Sequence, residues 1–220
     1  MLYYDQQIDG ARIAVWHVTE ELDELLSLLP DADSVIGEAE KRFRSEGRIL
    51  EWTTVRVLLF TILGRQVQIS YDEQGAPYLP DYEGLNISIS HTRGYVAIAL
   101  SEHRMVGIDV EQVEHLAKPV GVDSQKETRV ERVRERFVRH DEFAETIVGL
   151  LLHWSAKETV YKVLHRESVD LIDDLRISPF DENVYEGEFE LEDLRARDVY
   201  KIRYKVFDDF VLTFTDKANS

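Results

Sequence analysis

Between residues 106 and 111 the chain reads Val-Gly-Ile-Asp-Val-Glu, an alternation that fits an extended strand. Val106, Ile108 and Val110 fall on one face of such a strand, and Gly107, Asp109 and Glu111 on the other. The aliphatic face demands a core, which leaves the opposite face to present two carboxylates. A second run, Trp154-Ser155-Ala156-Lys157-Glu158-Thr159-Val160-Tyr161-Lys162, has the helical period instead. Trp154, Glu158 and Lys162 recur every four residues and form one stripe of a helix. The fold must therefore mix strands and helices, with acidic groups on one side of each.

Together the two motifs suit a divalent cation and a polyphosphate. Asp109, Glu111 and Glu158 offer hard oxygen ligands, and Lys157 and Lys162 offer cations for the remaining phosphate charge. Two carboxylates and water fit the octahedral oxygen preference of Mg2+, with substrate phosphate completing the shell, and Mn2+ fits as well. Gly107 leaves room for a bulky ligand. Taken singly, each motif has a plainer reading. Alternating carboxylates are common on the solvent face of a strand, and Glu158 before Lys162 is the favoured i,i+4 surface pair. What points to chemistry is the ordered pair, with the Lys157-Glu158 doublet on a helix that also bears Leu150, Leu151 and Leu152.

In this combination the chain resembles the Sfp-type, or group II, 4'-phosphopantetheinyl transferases. That family carries a Gly-hydrophobic-Asp-hydrophobic-Glu strand and then a Trp-Ser-x-Lys-Glu-x-x-x-Lys helix, and both are matched here without substitution. Asn86-Ile87-Ser88-Ile89-Ser90-His91-Thr92 is similar to the family's Asn-hydrophobic-Ser-hydrophobic-Ser-His segment, and Gln74-Gly75-Ala76-Pro77 stands where Gly-Lys-Pro is usual. The likeness covers roughly residues 40 to 165.

The resemblance implies an α/β (α+β) fold of two similar halves related by a pseudo-twofold axis, with coenzyme A held between them. The halves here are residues 1–105 and 106–220. It implies that Asp109, Glu111 and Glu158 form the metal site, with Glu158 either a third ligand or the base, and that Lys157 and Lys162 contact the coenzyme's phosphates. Trp154 is expected to pack in the core. Ser90 and His91 carry over as phosphate contacts. Arg48 and Arg56, on one helix, are the candidates for the 3'-phosphate, which a guanidinium fork grips bidentately. Ala76 departs from the pattern by removing a lysine, and Arg93, just past the Ser-His pair, is placed to replace its charge.

With 220 residues, 44% of them hydrophobic, the chain can bury a real core, and no Pro, Ser or Gly tract marks a flexible linker. One rigid, monomeric unit is expected. The start lacks a basic segment followed by an apolar one, and no run reaches the length of a membrane span, so we expect a cytoplasmic protein without membrane contact. Zero cysteines exclude disulfides, thiol catalysis and thiolate metal sites. A formal charge of −17 argues against nucleic acid as a partner, because the surface would repel a polyanion. Residues 126–139 run against that trend, with six bases (Lys126, Arg129, Arg132, Arg134, Arg136, Arg139) and three acids, and are a candidate docking face for an acidic carrier protein.

Hydrophobic period and turn residues predict strands over 12–18, 67–71, 86–90, 95–101, 184–191, 199–206 and 209–215. Helices are predicted over 19–29, 35–63 (ended by Gly64), 128–139 and 141–165.

The activity implied by the resemblance is that of a holo-[acyl-carrier-protein] synthase. The 4'-phosphopantetheine of coenzyme A passes to a serine of an apo acyl or peptidyl carrier protein, with Mg2+, giving holo carrier and 3',5'-ADP for fatty acid or secondary metabolite biosynthesis. Asp109, Glu111, Glu158 and Lys162 would carry the chemistry. Two other classes share parts of the pattern. A non-catalytic coenzyme A or carrier-protein binding module needs no complete acidic set, yet none of its members is lost here. A metal nuclease can also use a Gly-Ile-Asp strand, but needs a basic groove that −17 argues against.

Overall fold

The computed structural model describes residues 1–114, 129–164, 166 and 168–218. By Cα packing the chain divides into two compact units, residues 1–105 and 106–218.

The first unit is built on an antiparallel sheet in the order β1 (Leu2–Ile8), β2 (Ala11–His17), β6 (Tyr95–Ser101), β5 (Asn86–Thr92). Strand β1 carries no apolar alternation and lies at the sheet edge, so a reading of hydrophobic period passes over it. The local signal for it was the Asp9-Gly10 pair. At φ 48° and 89° these two residues turn β1 into β2, with Ile8 paired to Ala11. Both occupy the left-handed region that a two-residue hairpin turn requires.

Ala14, Trp16, Val96, Ile98 and Leu100 form the core face of this sheet, packed against helices α1 (Leu22–Ser27), α2 (Ala32–Arg42) and α3 (Glu46–Leu63). The single helix predicted over 35–63 is thus two. Phe43 is extended at φ −126°, ψ 145°, and its ring lies 5.4 Å from that of Trp52, edge to face. Tertiary packing of one aromatic overrides the helical propensity of the stretch. Gly64, at φ 72°, caps α3 as expected. The strand predicted over 67–71 narrows to β3 (Ser70–Tyr71), which pairs with β4 (Pro77–Tyr78).

The second unit holds a sheet in the order β7 (Arg104–Gln112), β11 (Phe210–Ala218), β10 (Asp198–Val206), β9 (Glu186–Asp193), β8 (Leu175–Ile177). Tyr200, Ile202 and Tyr204 are buried on the core face of β10, as their alternation with Lys201, Arg203 and Lys205 requires. Helices α4 (Arg129–Phe137) and α5 (Ile147–Leu164) complete the unit, with α5 packed on β11 and β10. Residues 126–128 of the arginine-rich stretch lie outside the described residues.

Residues 141–146, predicted as the start of the long helix, form a loop capped from a distance. The Glu182 carboxylate accepts from the amides of Glu145 (3.0 Å) and Thr146 (2.8 Å) and from Thr146 Oγ1 (2.7 Å), which in turn accepts from Gly149 N at 2.8 Å. Those interactions satisfy donors that a helix start leaves open. A Cβ at Gly149 would lie 2.0 Å from the Glu182 carboxylate, so glycine is what lets this acid reach the helix. Among the described residues no helix is long and apolar enough to cross a membrane.

Candidate active site

In the second unit the two motifs meet where α5 crosses β7. Gly107 permits the approach: a Cβ there would fall 2.2 Å from the carbonyl oxygen of Thr159 and 2.7 Å from Val163 Cγ2. The glycine therefore makes room for the helix backbone, and not for a ligand as the sequence suggested. Hydroxyl groups hold the helix to the sheet, with Ser155 Oγ 2.8 Å and Thr159 Oγ1 2.7 Å from Thr213 Oγ1. Because α5 covers that face of β7, the carboxylates do not stand on a solvent face. Asp109 is only 4% exposed and Glu111 is half-buried.

Lys162, in the last turn of α5, reaches across to the strand. Its Nζ donates to the Ile108 carbonyl oxygen at 2.8 Å and to Asp109 Oδ1 at 2.9 Å. Glu111 and Glu158 lie within the same field. Burial, then repulsion from Asp109 and Glu158, pushes the Glu111 carboxyl up to about 9, against the opposing pull of Lys162 and Arg129. The Glu158 carboxyl is raised by burial and by Asp109, with Lys162 and Arg136 acting in the other direction. Arg129 and Arg136, read from sequence as part of a docking face, are thus also electrostatic neighbours of the acids.

Glu158 opens onto a groove of about 520 Å3 whose other walls include Arg136, Tyr161, Leu171 and Ile172. Trp154 stacks on Phe137 at 5.2 Å between ring centroids, a packing role. Arg139 is taken up internally, with Nε on Asp141 Oδ1 at 2.9 Å and Nη1 on the Ile172 carbonyl at 2.7 Å. The exposed arginines of α4 are Arg132, Arg134 and Arg136.

Lys157 departs from its expected place on the coenzyme's phosphates. Its side chain has no exposure, and Nζ donates to Glu142 Oε2 at 2.9 Å, itself an acceptor for Arg139 N at 2.8 Å. Glu142 Oε1 accepts from Ile177 N at 2.6 Å. Helical geometry accounts for the difference: Lys157 and Glu158 are adjacent in sequence and point about 100° apart, so when Glu158 borders the groove Lys157 enters the core. Burial lowers the Lys157 ammonium below its ordinary value, with Glu142 acting to raise it.

The first unit carries the remaining candidates. Ser90 is buried and His91 exposed at the end of β5, and Arg48 Nη1 lies 3.1 Å from His91 Nε2. Sequence reasoning missed Glu51, whose Oε2 is 2.9 Å from Arg48 Nη1 and 3.5 Å from His91 Nδ1. Arg56 does not join them. It is 5% exposed, with its guanidinium 3.3 Å from the centre of the Trp52 ring and Nη1 donating to the Trp52 carbonyl at 3.1 Å. Burial pushes it down to about 10. An arginine so enclosed serves the core of this unit and is withdrawn from the phosphate candidates. Arg93 is exposed in the turn between β5 and β6, and Ala76 lies in a turn where its amide donates to Asp72 Oδ1 at 2.8 Å.

A family model described as the 4'-phosphopantetheinyl transferase superfamily matches residues 105–215, half of the chain. The chain belongs to this superfamily. Its members use coenzyme A as substrate, act on carrier proteins and typically employ a divalent metal. No curated protein sequence matches the chain.

In this phosphopantetheinyl transferase the donor set bears directly on the metal. Among the described residues no group of three His, Cys, Asp or Glu side chains is arranged to hold an ion by itself. The acids nevertheless concentrate negative charge, and Glu111 feels both of the others. Mg2+ is commonly held by one or two carboxylates with phosphate oxygens and water completing the octahedron, and this donor set fits that mode.

Proposed function

We propose that this member is an Sfp-type transferase that moves 4'-phosphopantetheine from coenzyme A to a serine of an apo acyl or peptidyl carrier protein, as a holo-[acyl-carrier-protein] synthase. The observation that carries the reading is the contact between Lys162 Nζ and Asp109 Oδ1 at 2.9 Å, through which the strand motif and the helix motif become one charged cluster.

In the transfer the serine oxygen forms a bond to the β-phosphorus, the bond from that phosphorus to the oxygen of the leaving 3',5'-ADP breaks, and the serine proton passes to a base. Glu158 is that base. Its raised carboxyl suits proton uptake, and it borders a groove open to an incoming chain. Asp109 and Glu111 would hold the divalent ion, Mg2+ or Mn2+, which when bound supplies charge neutralisation at the pyrophosphate oxygens. Lys162 fixes Asp109 and adds positive charge beside it. In the first unit Ser90, His91 and Arg48 are the contacts for coenzyme phosphate. The acidic carrier meets the exposed Arg132, Arg134 and Arg136 of α4.

The test is to incubate the protein with Mg2+, coenzyme A and a panel of apo carriers, and to weigh the carriers. One added phosphopantetheine per carrier, dependent on the ion, is expected. Tight coenzyme A binding with no mass gained by any carrier would replace this reading with that of a binding module.

A further inference from the structure

The basic pair offered to the coenzyme in the first unit already has an anion beside it. Arg48 Nη1 lies 3.1 Å from His91 Nε2, and Glu51 Oε2 lies 2.9 Å from that same Nη1 and 3.5 Å from His91 Nδ1. Arg48 and Glu51 stand three residues apart on α3, close to its start, while His91 comes from β5 in the sheet. One carboxylate thus draws together two basic groups from separate elements, much as a phosphate oxygen would. None of the three is sealed off: the side chains of Arg48, His91 and Glu51 are 51%, 36% and 30% exposed.

We propose that Glu51 is a specificity-determining residue, an internal carboxylate that competes with the phosphomonoester of the coenzyme for Arg48 and His91. This rests on the reading of Arg48 and His91 as coenzyme phosphate contacts. A dianionic phosphomonoester has more charge and more acceptor oxygens than a carboxylate, so it displaces Glu51 from the guanidinium, which then takes the phosphate bidentately. A weaker anion, or a coenzyme without that phosphate, does not. Glu51 therefore lowers the affinity for the phosphorylated coenzyme and leaves that of the dephospho form untouched, so it sets the margin between the two by an opposing charge and makes it narrower than Arg48 and His91 alone would give.

The effect on affinity is modest because the pair is solvent-accessible. Exposed ion pairs correspond to about two- to fivefold in an equilibrium constant. Such a pair is also weakened by salt, so the competition fades as ionic strength rises.

The experiment is to measure the Kd of coenzyme A and of 3'-dephospho-coenzyme A for the full chain and for the variants Glu51→Gln and Arg48→Gln, at low and high salt, with carrier modification followed in parallel. The proposal expects Glu51→Gln to tighten coenzyme A about two- to fivefold at low salt, less at high salt, and to leave the dephospho compound unchanged. Arg48→Gln should weaken coenzyme A alone. An unchanged or weakened coenzyme A Kd in Glu51→Gln, while Arg48→Gln still discriminates, overturns the role of Glu51 and leaves the phosphate site in place. If Arg48→Gln affects both ligands equally or neither, the phosphate site itself is overturned, and the inference falls with it. Carrier modification reports separately on the transferase reading.

Discussion

Lys162 Nζ lies 2.9 Å from Asp109 Oδ1, so the last turn of the helix motif is tied to the middle of the strand motif. Removing either end should stop transfer. We expect Asp109→Asn and Lys162→Met each to lower the rate by about 100-fold or more, the scale for loss of one electrostatic contact in an active site. Stability should change much less in Asp109→Asn, because repulsion among the acids is relieved as Lys162 loses its partner. Melting with and without Mg2+ and coenzyme A checks both points. The ligands should raise the Tm of the parent protein more than that of Asp109→Asn.

Gly107 faces the carbonyl of Thr159 at a distance that no side chain tolerates. Gly107→Ala should cost about 1–3 kcal/mol or more, since the rigid helix backbone must move. Urea unfolding measures this. A variant as stable as the parent protein would show that α5 is free to shift, and that the strand and helix need not touch.

Lys157 and Glu142 form an enclosed ion pair. Lys157→Met should cost about 3–5 kcal/mol, because it leaves the Glu142 charge buried. The double variant Lys157→Met, Glu142→Gln should recover a good part of that loss, with the coenzyme A KM unchanged. A folded double variant with a sharply raised KM would return Lys157 to the phosphate contacts.

Asp193 has no side-chain exposure and accepts from Arg166 Nη2 at 3.1 Å and from the amides of Arg195 (3.0 Å) and Ala196 (3.2 Å). Burial acts to raise its carboxyl, yet Arg166 and those amides hold it below the ordinary 3.8. A depressed carboxyl stabilises the fold above its unfolded value, and that stability is lost as pH falls through the lower folded value. Urea midpoints followed downward from about pH 6 should therefore fall steeply below about pH 4 in the parent protein, and less steeply in Asp193→Asn. Parallel profiles would remove Asp193 from the acid response.

Much of the second unit was legible because its signals are local. Alternation in β7 and β10, and the four-residue stripe of α5, follow from backbone period alone. The sequence could not show that residues 141–146 stay non-helical, since the decisive carboxylate, Glu182, comes from far along the chain. The break at Phe43 has the same character, with Trp52 as the distant partner on the next helix. Strand β1 differs, for its Asp9-Gly10 turn was readable in place.

The sequence by itself determined the chemical inventory and the period that puts Asp109 and Glu111 on one face of a strand and Glu158 and Lys162 on one stripe of a helix. Those follow from residue order, because side-chain direction repeats with the backbone. Which cations remain available was decided only by tertiary structure. Lys157 is consumed by Glu142, Arg56 is laid against Trp52, and Arg48 shares His91 with Glu51. A buried charge must find a partner or a π-face near it in space, and its neighbours in space are set by how the elements pack.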